Sequence, residues 1–308
     1  MGILFYRRIS QWFSALLAHG YVVAFSRGAI YQGGLKGFCV PFLACYACPT
    51  AITSCPIGTI QHFMAIGAVP WLVIGGLVMV GAVLGRLTCG WLCPFGLVQD
   101  LLYRVPATKM AVPGQLRFVK YAVLIIGVII LPLATKEHWF SQVCPAGTLF
   151  AGIPWVIWNP TDGSGQPTLP PLGWLFAVKV SILAALLALF VTTKRPFCRV
   201  LCPLGAILSL FGGLSLVRMQ VSSSCKRCNQ CQKSCPVDHA VWEDPNSGEC
   251  IRCLACMRCP SVRVALAGAS LSTTELSRSA SLKPGSTGGG RRRRPRQTAA
   301  AAASTRLE

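Results

Sequence analysis

Four long stretches almost free of charge punctuate the first two thirds of the chain. Residues 9–29 are largely apolar around a single His19, and stronger runs follow at 63–85, 117–135 and 173–193. Each run is about the twenty residues needed to cross hydrocarbon as a helix. The basic start that ends in Arg7-Arg8 resembles a signal peptide. No small-residue cleavage site follows it cleanly, so residues 9–29 read as the first membrane helix. The predicted architecture is an α-helical membrane protein with four transmembrane helices.

Four crossings put both ends of the chain on one side. Arg86, Arg104, Lys109, Arg117 and Lys120 flank or fill the loop between the second and third runs, and Lys194, Arg195 and Arg199 follow the fourth. The remaining loops hold only Arg27, Lys36 and Lys136. Segments rich in lysine and arginine stay cytoplasmic, so a bacterial cytoplasmic (inner) membrane location is expected, multi-pass, with both termini inside.

With the spans in place, a repeat emerges. Cys-Pro-x-Gly occurs at Cys55, Cys93, Cys144 and Cys202, once per inter-span segment and each time before an apolar stretch. The copies at Cys93 and Cys202 carry a second cysteine four residues earlier, Cys89 and Cys198. The chain thus reads as two copies of a two-helix unit. Residues four apart share a helix face, so each pair can present two thiols to one point. Proline after the second cysteine suits a helix's first turn. Two readings stay open: a redox or metal site on Cys89, Cys93, Cys198 and Cys202, or helix corners with cysteine as a small buried hydrophobe. The topology places Cys55 and Cys144 on the opposite side, near Cys45 and Cys48 with Cys39 before them. There a disulfide, a metal site and plain packing are all open.

Beyond the last apolar run the chemistry changes. Cys225 to Pro236 reads CKRCNQCQKSCP, and Cys250 to Pro260 reads CIRCLACMRCP, with fourteen residues between Cys235 and Cys250. The first run, C-x2-C-x2-C-x3-C-P, has the spacing that a [4Fe-4S] cube requires. Zinc knuckles and disulfides are the alternatives, but zinc asks for two pairs with a longer gap, leaving the third and fourth cysteines of each run redundant. This part resembles the bacterial two-cluster ferredoxins over residues 222 to 262. The resemblance implies two [4Fe-4S] clusters, one on Cys225, Cys228, Cys231 and Cys259, the other on Cys250, Cys253, Cys256 and Cys235. The second run is one residue shorter, C-x2-C-x2-C-x2-C.

Composition agrees with a membrane reading. Of 308 residues 53% are hydrophobic and only 12% charged, about half the charge of a soluble domain. Only Asp100, Glu137 and Asp162 of the nine acidic residues precede residue 225, so the net charge of +20 comes from basic loops and a basic tail. That tail contains GGGRRRRPRQ and too few large apolar residues for a core, so disorder is expected. It can meet lipid headgroups or nucleic acid non-specifically; no specific nucleic-acid partner is expected. The division that follows is a transmembrane domain over 1–215, a two-cluster α+β domain over 216–262 and a disordered tail over 263–308.

Together, CGWLCP at Cys89–Pro94, CRVLCPLG at Cys198–Gly205 and the two four-cysteine runs resemble the NapH/MauN type of ferredoxin-like membrane proteins. The resemblance implies an electron-transfer subunit that works with quinol in the membrane and with other redox subunits or a periplasmic oxidoreductase. A quinone site and a further intramembrane iron–sulfur centre are candidate additions to the two cubes. The rival is a thiol-redox, maturation or regulatory protein that uses the CX3CP cysteines. Without a Rossmann glycine fingerprint or a P-loop, neither nucleotide binding nor autonomous catalysis is expected.

Overall fold

A computed structural model describes residues 2–27, 29–159 and 173–267. From residue 268 onward the expected disordered tail lies outside the described residues.

Helix α1, Ile3–Ala18, sets the character of the molecule. It buries Arg7, Gln11, Ser14 and Ala18 and turns Phe5, Ile9, Trp12, Phe13 and Leu16 outward. In water this inverted stripe is unfavourable; against lipid tails it is the favourable face, because the outer surface then costs nothing to leave apolar. The short α2, Ala24–Arg27, and α3, Pro56–Ala65, follow. In α4, Trp71–Leu84, Trp71 and Leu72 are 76% and 86% exposed.

Of the described helices, two are long and apolar enough to cross a membrane: α7, Gly114–Thr135, and α10, Trp174–Thr192. They match the expected third and fourth spans. The other two expectations need correction. The first apolar run is helical only to Ala18, because the chain then turns to pair Tyr21 N–H with the Thr50 carbonyl and Ile52 N–H with the Ala18 carbonyl. The second run breaks over 66–70, where Gly67 takes φ +74° and Pro70 forces its predecessor out of helical geometry. Between these helices lie α5, Leu87–Trp91, and α6, Pro94–Leu102. Then come α8, Trp139–Val143, and α9, Pro145–Trp158, and after α10 the short α11, Pro196–Val200, and α12, Pro203–Ser209.

The four Cys-Pro-x-Gly copies adopt one geometry. Cys55, Cys93, Cys144 and Cys202 are the N-caps of α3, α6, α9 and α12, with φ between −80° and −62° and ψ between 112° and 128°, and proline opens each helix. Proline has no N–H to leave orphaned and its ring presets φ, which is why the helix starts there each time.

The carboxyl-terminal module is small. Strand β1, Val217–Val221, pairs antiparallel with β2, Val262–Leu266, in the register Val217↔Leu266 to Val221↔Val262. Between them sit α13, Gln230–Ser234, and a 3₁₀ turn over Ala255–Arg258. The final strand therefore runs four residues past the expected boundary at residue 262. The Asn246 side-chain amide closes the module, accepting from Met219 N–H and donating to its carbonyl.

Candidate metal centres

The two cysteine runs share a backbone. In the first, Arg227 and Asn229 take φ of +48° and +58°; in the second, Arg252 and Leu254 take +48° and +61°, at the same offsets from Cys225 and Cys250. Side chains avoid this region, a bulky leucine most of all. Alternating right- and left-handed residues turn successive N–H groups inward into an anion-binding nest, a backbone found around iron–sulfur clusters. Cys235 follows α13 with φ −76°, ψ 126°, and Cys259 follows the 3₁₀ turn with φ −85°, ψ 126°. A 3₁₀ turn closes in about 3 residues rather than about 3.6. The missing residue of the second run is thus absorbed, and Cys259 caps its turn as Cys235 caps its helix.

Cys235, Cys250, Cys253 and Cys256 all line one small cavity in this module, the ligand set that the ferredoxin resemblance implies for one cluster. Burial pushes the Cys235 thiol up to about 12, and Cys253 and Cys250 add to the shift. Cys256 rises for the same reasons. Of the other four, Cys231 is buried, Cys225 and Cys259 are half-buried and Cys228 is exposed.

The second group of thiols is assembled by two matching segments, Arg86-x2-Cys89-x3-Cys93-Pro-x-Gly96 and Arg195-x2-Cys198-x3-Cys202-Pro-x-Gly205. The pairs do not share a helix face as expected. Each helix stops after the first cysteine, Cys93 N–H bonding back to Thr88 and Cys202 N–H to Phe197, and the second cysteine caps the next helix. All four thiols are nevertheless buried. Burial pushes Cys93 up to about 12, Cys198 and Cys89 reinforcing it. Cys202 rises through burial and then Cys198, Cys89 and Cys93.

Each segment's arginine crosses to the other segment. Arg86 donates to the Cys198 carbonyl at 3.0 Å and Arg195 to the Cys89 carbonyl at 3.1 Å. Glycine makes the crossing possible: a Cβ on Gly96 would stand 3.2 Å from the Arg195 guanidinium, and one on Gly205 3.2 Å from Arg86 Nη2. Asp100 receives Arg195 at 2.6 and 2.7 Å and also pairs with Arg7. Glu249 receives Lys120 at 2.5 Å and Arg86 at 3.4 Å. Gln99 donates to Cys198 Sγ at 3.1 Å, and Gly205 N–H to Cys202 Sγ at 3.3 Å. From α1, Gln11 and Ser14 donate to the Gly90 and Leu92 carbonyls, which the break between α5 and α6 leaves free.

The charge count tests what these thiols can hold. Arg7, Arg86, Lys120, Arg195 and Arg252 are all buried, and among the described residues only Asp100 and Glu249 form ion pairs with them. Arg7 Nε, Arg86 Nε and Arg252 Nε also lack hydrogen-bond partners, as does Thr88 Oγ1. Burying unpaired cations is costly. A cube held by four thiolates is a net anion, so it fits this environment where neutral thiols do not. All seventeen cysteines are free thiols. Among the described residues no three His, Cys, Asp or Glu side chains are placed to grip a single metal ion, as tetrahedral zinc requires.

The two modules touch at the motif itself. Gly90, between Cys89 and Cys93, faces the second cysteine run so closely that a Cβ would lie 2.5 Å from the Ile251 carbonyl oxygen. Trp91 Nε1 donates to the Arg252 carbonyl at 3.1 Å, Arg86 to that of Gly248 at 2.8 Å, and Arg252 to those of Leu84 and Gly212 at 2.9 and 2.7 Å.

The third group, Cys45, Cys55 and Cys144, lines a larger cavity of about 590 Å³ with mainly apolar walls that include Phe140, Trp155 and Phe176. The topology puts this group across the membrane from Cys93, but the structure brings the two close. Leu43 N–H faces the Cys93 thiol and the next one, Ala44 N–H, faces Cys55. Sequence reasoning used Arg86 and Arg195 only to orient the spans. Their shared place three residues before the first cysteine of each pair was the signal available for a role at the thiols.

A 4Fe-4S binding domain matches the chain twice, over residues 67–113 and 174–221. These copies contain Cys89, Cys93, Cys198 and Cys202 and stop short of the carboxyl-terminal runs. An uncharacterised protein of Methanocaldococcus jannaschii is 29% identical over 219 residues, 67% of this chain and 83% of that protein. The methylamine utilization ferredoxin-type protein MauN of Methylorubrum extorquens is 28% identical, over 60% of this chain and 61% of its own. The regulatory protein NosR of Pseudomonas aeruginosa is 32% identical over 54% of this chain and 22% of its own. The chain thus spans less than two thirds of the length of both named relatives. No solved structure matches it. With a 4Fe-4S binding domain matched twice and MauN among its relatives, the chain is similar to the ferredoxin-type proteins of the MauN/NapH kind.

Proposed function

We propose that the protein relays single electrons through a membrane, from two cubes in its carboxyl-terminal module to a third centre among its helices. Cys225, Cys228, Cys231 and Cys259 hold one cube, and Cys250, Cys253, Cys256 and Cys235 the other. The CX3CP cysteines Cys89, Cys93, Cys198 and Cys202 hold the third centre. Iron–sulfur clusters supply one-electron chemistry without making or breaking substrate bonds. The chain's own residues fix the spacing, exclude water and balance charge. The observation that carries the reading is the contact at Gly90, where the Cys250–Cys256 loop rests on the Cys89–Cys93 loop. One continuous buried cluster contains Cys235 and Cys253 together with Cys89, Cys93 and Cys202.

Arg86 and Arg195 hold the two CX3CP segments in register and place positive charge beside the thiolates; Arg252 does the same for the second run. Positive neighbours and N–H donors favour the reduced, more negative state and raise a centre's potential. In this reading the helical bundle, with α7 and α10 as its spans, sits in a bacterial inner membrane with the two-run module cytoplasmic. The carriers served are the quinone pool or a cytoplasmic donor on one hand and a partner oxidoreductase on the other.

Iron and acid-labile sulfide in anaerobically purified full chain test the proposal. The module alone accounts for about eight irons and the third centre for about four more, at about four per cube. Cys89→Ser and Cys202→Ser should each remove the latter set. Unchanged iron with lost quinol oxidation would instead support thiol chemistry at these cysteines.

A further inference from the structure

The group at Cys45, Cys48, Cys55 and Cys144 is built like the CX3CP group that lies beside it. Cys55 and Cys144 are N-caps with the same backbone as Cys93 and Cys202. The N–H groups of Gly58 and Gly147 face their sulfurs as that of Gly205 faces Cys202. Cys45 joins them: a Cβ on Gly147 would stand 3.7 Å from both Cys45 Sγ and the Cys144 Cβ. Cys48, three residues along the same loop, is buried at 4% exposure. One thiol would be unremarkable; three opening into a single cavity, with the buried Cys48 beside Cys45 and its sulfur 3.2 Å from Thr50 Oγ1, are a donor set.

A second observation indicates the charge of the occupant. Half-buried Lys36 has no hydrogen-bond partner for its Nζ among the described residues, and it stands within electrostatic reach of Cys48 and Cys45. This repeats the arrangement in which Arg86, with its unpartnered Nε, stands beside Cys89, Cys198 and Cys202. Soft thiolate sets select zinc, Cu(I) or iron–sulfur clusters, and the like-built CX3CP segments beside this group fall within matches to a 4Fe-4S binding domain.

We infer that Cys45, Cys48, Cys55 and Cys144 bind a further iron–sulfur cluster, directly behind the CX3CP centre and separated from it by the Leu43–Ala44 backbone. The inference rests on the relay reading for its purpose, since the new centre would carry that relay one step deeper into the bundle. It does not rest on that reading for its ligands. The cavity beyond it, walled by Phe140, Trp155 and Phe176, leaves one flank of the cluster open to an apolar molecule.

The test uses full chain purified anaerobically in detergent. Iron and sulfide are counted and reduced-state electron paramagnetic resonance is recorded for wild type, Cys55→Ser, Cys144→Ser, Cys93→Ser and the control Cys39→Ser. If the new centre is a cube, Cys55→Ser and Cys144→Ser should each lose about four irons and one set of resonances. The signals of the carboxyl-terminal cubes in the same samples show that the variants are folded. Cys39→Ser should keep all its iron. Wild-type iron in both Cys55→Ser and Cys144→Ser would overturn the inference, whatever Cys93→Ser shows. So would mass mapping of a disulfide within the group, or alkylation of these thiols in iron-loaded chain as fast as after iron chelation. Loss of iron in Cys55→Ser but not in Cys93→Ser would leave this site standing and remove the CX3CP centre.

Discussion

Adding one methyl group at Gly90 should prise the carboxyl-terminal module off the helices. In Gly90→Ala the new Cβ would lie 2.5 Å from the Ile251 carbonyl oxygen and 3.5 Å from the Cys253 backbone. Both sides of this contact are main chain, so no side-chain rotation relieves it. The loop must retreat by roughly 1 Å to restore an ordinary contact of roughly 3.5 Å. Overpacking of this kind costs about 1–3 kcal/mol. The retreat also stretches the Trp91–Arg252 hydrogen bond, at about 0.5–1.5 kcal/mol, and the charged Arg86–Gly248 bond, at about 1.5–3 kcal/mol. A net weakening of about 2–4 kcal/mol would raise the equilibrium for module release roughly thirtyfold to a thousandfold. Hydrogen exchange at Ile251–Cys253 and protease cleavage ahead of β1 measure that equilibrium in intact chain. Gly76→Ala is the control, since nothing lies within 4 Å of a Cβ there. Equal exchange and cleavage in the two variants would refute the contact as the hinge of the assembly.

Four further outcomes follow from the same geometry. Asp100→Asn leaves Arg195 and Arg7 without their buried carboxylate and should cost about 3–5 kcal/mol; a double-mutant cycle with Arg195→Met in denaturant unfolding should show the two losses to be far from additive. Gly85→Ala forces a side chain onto φ +59° and into the space of Arg252, whose Nη1 would lie 1.5 Å from the new Cβ, so iron in the second run should fall; unchanged iron would contradict it. Inserting alanine between Met257 and Arg258 restores the longer spacing but spoils the 3₁₀ turn, and cluster iron should drop by about four atoms. Chelating the iron should lower the unfolding midpoint by more than a surface effect, because Arg86 and Arg252 then lose the anions that balance them; equal midpoints for iron-loaded and iron-free chain would count against that balance.

The two four-cysteine runs were legible before the structure because cysteine spacing is a local property: three thiols on one tight loop leave a regular trace. So were α7 and α10: α10 holds no glycine or proline, and α7 stays helical through Gly127 and Pro132. The second span was misjudged in extent for a local reason also on view, glycine at 67 and proline at 70, outweighed by a long apolar average, whereas the first is cut short by its pairing with residues 50–52. What the sequence hid are encounters between distant segments. Arg195 meets Gly96 and Asp100, Arg86 meets Gly205 and Glu249, and Gly90 meets Ile251. Each depends on absence of a side chain at one position and on a long side chain or a main-chain loop arriving from far along the sequence, and neither is periodic. The short second cysteine run was a related case. It read as a departure from the ferredoxin pattern until the tighter turn showed how one residue fewer brings Cys259 to a cap like that of Cys235.

The exchange of arginines between the CX3CP segments also explains why both copies of the motif are needed. Each copy alone would bury a guanidinium with no acceptor from its own segment. Exchanged, the Cys198 carbonyl accepts from Arg86 and the Cys89 carbonyl from Arg195, while α6, α12 and their N–H groups approach from the two sides. The asymmetry falls outside this layer: Arg195 is balanced by Asp100 within the helices, whereas Arg86 shares Glu249 of the carboxyl-terminal module with Lys120. One arginine therefore holds its place regardless of the module. The other is held fully only when the module is docked, and that ties the thiol site in the helices to the iron-binding runs that would exchange electrons with it.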